Sequence, residues 1–319
     1  MNENEGLLSD GWSRVTHNKR YIFWFYILNV LLAWFGAGAF NNQVHQILDH
    51  SPHADGLVNG FDLAVFREML SRPEFGPKMA SAAPAMHFAL FFLLITALFL
   101  PGVLQGYAST YRLPREDFFR ACGRNLWRFI RLMIVAGIVM GAVAAGLFGL
   151  HGVLERKAAE STNELLLPEV QFAGLGVIFL VMTALRIWFD LAQTDVVLSD
   201  QRAVRKSIGL GFRHMWRKLG RLLGSYLVTT IVAAIILVAG LWVWMKFVPP
   251  DNLVGAVVVS QLILLFLLIP RFWQRGVVVS YYLQNMVEPI AVEPLAPTPV
   301  AAPTPTPVIP STPPETQGA

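Results

Sequence analysis

The sequence predicts an all-α integral membrane protein of six transmembrane helices, forming three hairpin units with amphipathic helices in the cytoplasmic interface. Composition is the first reason. Of 319 residues, 55% are apolar and 14% charged, against about 25% charge in a soluble chain. Second, the stretches 21–40, 84–107, 129–150, 170–189, 222–248 and 253–269 each approach the roughly 20 predominantly apolar residues that cross a bilayer. Third, the basic residues partition between alternate connections. Arg14, Lys19 and Arg20 precede the first span, and Arg112, Arg115, Arg120, Arg124, Arg128 and Arg131 separate the second from the third. Arg186, Arg202, Arg205, Lys206, Arg213, Arg217, Lys218 and Arg221 surround the fourth-to-fifth connection, and Arg271 and Arg275 follow the sixth. That side holds 19 basic residues; the other holds Arg67, Arg72, Lys78, Arg156, Lys157 and Lys246. Because Lys and Arg mark short cytoplasmic loops, both termini are expected in the cytoplasm.

Residues 1–20 read as a short cytoplasmic segment and 21–287 as the membrane domain. Ala37-Gly38-Ala39 has the small-residue form of a signal-peptidase site, but the long, aromatic-rich run before it suits a permanent anchor. The first external loop gathers His45, Asp49, His50, His53 and Asp55. Imidazole and carboxylate suit zinc, yet no partner motif follows, and neither a metal nor any other cofactor is expected. Residues 61–70 of the same loop form a short amphipathic pattern. In the third span, Gly137, Gly141 and Ala145 place small side chains along one stripe suited to close helix packing.

The inner connections carry a repeat. Arg124-Asn125-Leu126-Trp127-Arg128 and Arg213-His214-Met215-Trp216-Arg217 are offset by 89 residues. At about 100° per residue, Phe118, Cys122, Leu126 and Phe129 share a face opposed by Arg120, Arg124, Arg128 and Arg131. Val204, Ile208, Phe212, Met215 and Leu219 likewise oppose Arg202, Lys206, Arg213, Arg217 and Arg221. Both read as basic amphipathic helices resting on anionic headgroups, and residues 13–24 have a looser version. Tryptophans 24, 127, 188, 216 and 273 near one boundary, and 34, 242 and 244 near the other, support the span limits. The basic pI of about 9.3 therefore reflects topology and lipid contact, not nucleic acid.

At the inner end of the fourth span stand Asp190, Asp195 and Asp200. Five-residue spacing turns each by about 140° from the last, which excludes the paired carboxylates that hold magnesium. Arg186 and Asp190 are four apart and can pair; an ionisable pair at this depth is a candidate substrate site. Beyond Pro270, Arg271 and Arg275 read on charge grounds as boundary anchors of a helix ending at Ile269. Were the helix to continue through Tyr282, these cations would face the bundle and mark an anion or lipid-headgroup site. Residues 288–319 are rich in Pro, Ala, Thr and Val, the composition of a disordered tail sampling polyproline conformations, with a protein partner as its one recognisable use. Cys122 is the only cysteine, so no internal disulfide can form.

The polar-ended fourth span, the Ala-Val-Arg-Lys-Ser stretch at 203–207 and the Tyr-Tyr-Leu at 281–283 resemble a group of bacterial six-span proteins. It includes the membrane domain attached to some glycerophosphoryl diester phosphodiesterases. The resemblance implies a fold and a bacterial inner membrane; it does not carry over enzymatic activity, because the soluble barrel has no counterpart here. His-Glu-x-x-His, Gly-x-Ser-x-Gly and phosphate-cradling loops are absent from the sequence. Two functions follow as expectations: a non-enzymatic protein that organises the membrane, regulates, or handles a small amphiphile, and, as the alternative, an intramembrane enzyme or transporter acting on a lipid or other anionic substrate.

Overall fold

A computed structural model of the chain describes residues 6–48, 83–161, 165–200, 203–249 and 252–286, with backbone alone at 35–48, 83–89 and 253. The described residues form eight helices and no strands. In chain order these are α1 (Leu7–His17), α2 (Arg20–Leu48), α3 (Ala83–Ala108), α4 (Arg115–Ala159), α5 (Leu166–Leu198), α6 (Val204–Arg217), α7 (Leu219–Phe247) and α8 (Leu253–Asn285). Five of them, α3, α4, α5, α7 and α8, are long and apolar enough to cross a membrane, and α2 is apolar over Arg20–Trp34. These are the helices of a multi-pass membrane protein. Of the candidate zinc ligands, His45 lies in α2 with its backbone alone described, and Asp49, His50 and His53 lie outside the described residues, as do Asp55, the Pro-rich tail and Arg202.

Helix α8 is the hub, packing against α1, α2, α3, α5 and α7. Burial concentrates at one end of the bundle. Tyr107 of α3, Phe129 and Leu132 of α4, Ile187 and Leu191 of α5, Leu222 of α7 and Val277 to Val279 of α8 are all sealed there. Toward the other end the same helices splay and present Ile138, Phe172, Val238 and Val254 outward. Apolar side chains facing outward are costly in water and unremarkable in hydrocarbon.

Hydrogen-bond accounting explains how α1 seals the packed end. A helix leaves its last carbonyls without partners, and at the end of α3 these are met from outside: Asn18 Nδ2 donates to Gly106 O at 3.3 Å and Arg14 Nη1 to Tyr107 O at 2.7 Å. Arg20 Nη2 reaches Leu113 O at 2.6 Å, and Trp273 Nε1 donates to Leu8 O at 2.9 Å. Two glycines permit the crossing: a Cβ on Gly11 would come within 2.7 Å of Val277 N, and one on Gly276 would collide with Gly11 O.

Four sequence expectations change. The basic segment from Arg115 is not a separate interfacial helix; it runs unbroken into the third span as the 45-residue α4. By contrast, α1 and α6 do break from the helices they precede, at Asn18 (φ −116°, ψ 33°) and Lys218 (φ −129°, ψ 26°). The sixth span does not stop at Ile269: α8 stays helical through Pro270 to Asn285, with the bond from the missing amide forfeited. Gly137 and Gly141 are exposed, with nothing near the positions a Cβ would take, so the stripe packs against no neighbouring helix among the described residues. In α6 Val204, Ile208 and Met215, with Leu219 just beyond it, pack on the core as expected, but Ser207 and Gly211 join Met215 as the buried residues of the helix, while Phe212 and Trp216 point outward beside Arg213 and Arg217. Gly211 is where α6 meets α5: a Cβ there would stand 3.1 Å from Trp188 O, and Trp188 Nε1 donates to Ile208 O at 2.8 Å. Small residues set the seat because backbones approach closely there, and hydropathy alone does not register them.

Candidate functional site

The three aspartates at the end of α5 meet different partners: Asp190 bonds α7 and α8, Asp195 bonds α8, and Asp200, just past the helix, meets α4. Asp190 is buried between α7 and α8. Its Oδ2 accepts from Tyr226 Oη at 2.7 Å and its Oδ1 from Arg275 Nη1 at 3.0 Å, while Arg186 Nε stands 3.7 Å from Oδ2. Arg275 Nη1 also donates to Gln193 Oε1 at 2.7 Å. Asp195, equally buried, accepts from Tyr282 Oη at 3.0 Å. Asp200 closes α5 in the left-handed region (φ 53°) and is gripped by Arg128 at 2.6 Å, with Arg124 at 3.9 Å.

Arg186 and Asp190 thus meet within the helix, but Arg275 is the nearer cation. Their side chains differ accordingly: Arg186 is 40% exposed and Arg275 19%. Arg186 therefore has donors to spare.

Those donors face a cleft of ≈ 740 Å³ bounded by α2, α5, α7 and α8. Continuation of α8 past Pro270 places Arg271 in its lining, across from Arg186. Arg271 meets no carboxylate among the described residues and lies within electrostatic reach of both Arg186 and Arg275. Two guanidinium groups therefore share one carboxylate while the third, Arg271, lies near both of them, and the surplus positive charge is on the cleft side. Above the arginines the walls turn mostly apolar, with Val30, Ala33 and Trp34 from α2, Ala233 from α7, and Leu264 and Leu268 from α8, interrupted by Asn29 and Gln261. Tyr26 Oη donates to Gln261 Oε1 at 3.2 Å across this wall.

Below Arg271, one turn along α8, Gln274 forms part of the cleft lining. Its Nε2 donates to Thr229 Oγ1 at 3.0 Å and reaches Thr230 Oγ1 at 3.5 Å. As the hydroxyls stand, both donate to the carbonyl of Tyr226, at 2.9 and 2.8 Å, with Ser225 O a second acceptor for Thr229 at 3.2 Å. In that arrangement the threonines accept from Nε2 and Oε1 is turned away from them.

The basic faces are partly consumed by the protein. Arg120 pairs with Asp117 at 2.8 Å, Arg128 is held by Asp200, and Arg131 lies 5.0 Å over the Trp127 ring. Lys206, Arg213, Arg217 and Arg221 are exposed. His214, on the flank of α6, has its imidazole pKa pushed below 6.5, first by burial and then by Arg217 and Arg213 beside it.

Spacing could expose Arg186 with Asp190, because both lie on one helix. Tyr226, Gln193 and Tyr282 escaped the sequence reading: each is a single polar group in an apolar or mixed run, and nothing local says which helix it faces. Among the described residues no three metal-ligating side chains cluster. No family model, curated protein or solved structure matches this chain.

Proposed function

We propose that the chain is a six-span bacterial inner-membrane protein, both termini cytoplasmic, that binds a small anionic amphiphile in the α2–α5–α7–α8 cleft without transforming it. One observation carries the reading: Arg186 and Arg271 share the lining of a cleft that is mostly apolar elsewhere, its other polar members being Tyr26, Asn29, Thr230, Gln261 and Gln274. Cations beside an apolar slot match an acidic head group with a hydrocarbon chain. The volume falls within the range of small-molecule sites, roughly 300–1,000 Å³.

Depth agrees. At about 1.5 Å per residue from the splayed helix ends, Arg271 of α8 lies about 27 Å and Arg186 of α5 about 30 Å along its axis, near the edge of a hydrocarbon core about 30 Å thick. A headgroup at the packed, cytoplasmic end and chains toward the splayed end is the orientation of an inner-leaflet lipid. With α2 as the first span, the arrangement becomes three hairpins, and α1 and α6 lie on the inner surface with Trp216 and the exposed arginines against anionic headgroups. The resemblance to six-span membrane domains accords with this fold and adds no activity. Binding without turnover is favoured because the nearest carboxylate, Asp190, is already engaged by Tyr226 and Arg275 and no carboxylate or imidazole lines the cleft among the described residues.

Native mass spectrometry of the detergent-solubilised protein with phosphatidylglycerol and phosphatidylcholine of equal chain length tests this. The wild type should retain the anionic lipid at least about tenfold better, a difference near 1.4 kcal/mol. Arg186→Gln with Arg271→Gln should remove the preference, and Arg120→Gln should not. Equal retention of the two lipids by the wild type refutes the reading.

A further inference from the structure

We infer that the cleft selects an anionic head group bearing a hydroxyl beside its charge, and that Gln274 Oε1 is the group that recognises it. The inference rests on the anionic-amphiphile reading and names the substrate class within it.

Gln274 is only 5% exposed, and its Oε1 has no hydrogen-bond partner. A buried acceptor left unmade costs more than a typical made bond contributes, and native proteins leave few of them. The amide orientation follows the hydroxyl network: with Thr229 and Thr230 donating to Tyr226 O, and Thr229 also within reach of Ser225 O, both threonines accept from Nε2 and Oε1 points away from them. Gln274 therefore lacks a donor and nothing else.

Its place in the fold says where that donor comes from. Gln274 follows Arg271 by three positions, on the same side of α8 and about 4.5 Å further along the axis, and both line the cleft. A ligand whose anion sits between Arg186 and Arg271 has its polar extension at Gln274. Oε1 is buried as the side chain stands; to meet the ligand the terminal amide, whose torsion is broad, turns toward the cleft and gives up the Nε2 bond to Thr229, which the ligand's hydroxyl replaces. The missing donor is a hydroxyl and not an ammonium, because Arg186 and Arg271 already bring positive charge to the lining that Gln274 shares. The apolar walls above the arginines assign the remainder of the ligand to hydrocarbon.

Two lipids of one charge isolate the hydroxyl: phosphatidylglycerol and phosphatidylpropanol with identical acyl chains, titrated into the full-length protein and read by native mass spectrometry. The wild type should hold phosphatidylglycerol about five- to tenfold more tightly, the range of one hydrogen bond. Gln274→Met should bring the two to equality while changing phosphatidylpropanol by less than about twofold. Water-soluble glycerol phosphate serves as a third probe. Binding by it as tight as phosphatidylglycerol would assign the site to a free phosphate from the cytosol and overturn the lipid. Equal wild-type affinity for the two lipids, both exceeding phosphatidylcholine, sinks the hydroxyl inference and leaves the anionic cleft intact. Failure of either to exceed phosphatidylcholine removes the cleft reading itself. The wild-type comparison needs no variant, so it decides even where Gln274→Met fails to fold.

Discussion

Asp190 shows how a single buried carboxylate organises the packed end. Tyr226 and Arg275 come from α7 and α8 to bond it, so the aspartate ties three helices with two short contacts. Removing one partner of a buried pair leaves the other charged and unpaired, at a cost of about 3 kcal/mol. Asp190→Asn should therefore lower the melting temperature in detergent markedly, and adding Arg275→Gln should restore most of the loss. Adding Arg186→Gln should restore little, because an ion pair this exposed is coupled by less than about 1 kcal/mol. Double-mutant cycles on both pairs check the order; a larger coupling to Arg186 would reverse it. Residue spacing exposes the Arg186 pair because both groups lie on one helix. The Arg275 contact spans 85 positions, and no local rule connects residues that far apart.

Among the elements, the apolar helices were legible because lipid imposes length and composition together. What the sequence concealed was continuity. A basic amphipathic stretch reads the same whether it breaks from its span, as α6 does at Lys218, or fuses with it, as in α4. Pro270 followed by two arginines reads as a helix end, yet the mixed run from Gly276 to Tyr282 is buried against α1 and α5, and tertiary packing sustains the helix. The rotated face of α6 has the same origin: Ser207 and Gly211 pack because they are small. The seating of α6 should respond to acid through His214. Its folded pKa lies below 6.5, so the stability it contributes is complete above 6.5 and is lost as pH falls through the lower folded value. Hydrogen exchange over 204–217, corrected for intrinsic rates, should therefore show weaker protection at about pH 5 than at about pH 7.5, and His214→Gln should flatten the difference. Protection that rises in acid would contradict the sign.

On the scale of the whole molecule, the two ends of the bundle differ in kind. One is sealed by α1, carries the buried aspartates and places cations at the cleft; the other is splayed and apolar. Five helices are each long and apolar enough to cross, and α2, with 29 helical residues, reaches about 43 Å. Whether α2 crosses decides the topology by parity. With α2 across, six passes return both termini to one side. With α2 along the surface, five passes would separate them, which the packing of α1 on the C-terminal part of α8 opposes. The charge asymmetry favours six, since α1 and α6 then share the basic side with the end of α8. Reporters fused in turn to the N-terminus and to the C-terminus of the full chain separate the cases. A fluorescent protein that matures only in the cytoplasm should be bright at both positions, and a phosphatase active only outside should be silent at both. A bright N-terminal fusion with an active C-terminal phosphatase would mean five passes. The cleft wall formed by Tyr26, Ala33 and Trp34 of α2 would then no longer stand beside α8 at the depth of Arg271, and the anionic-lipid reading would fall with the topology.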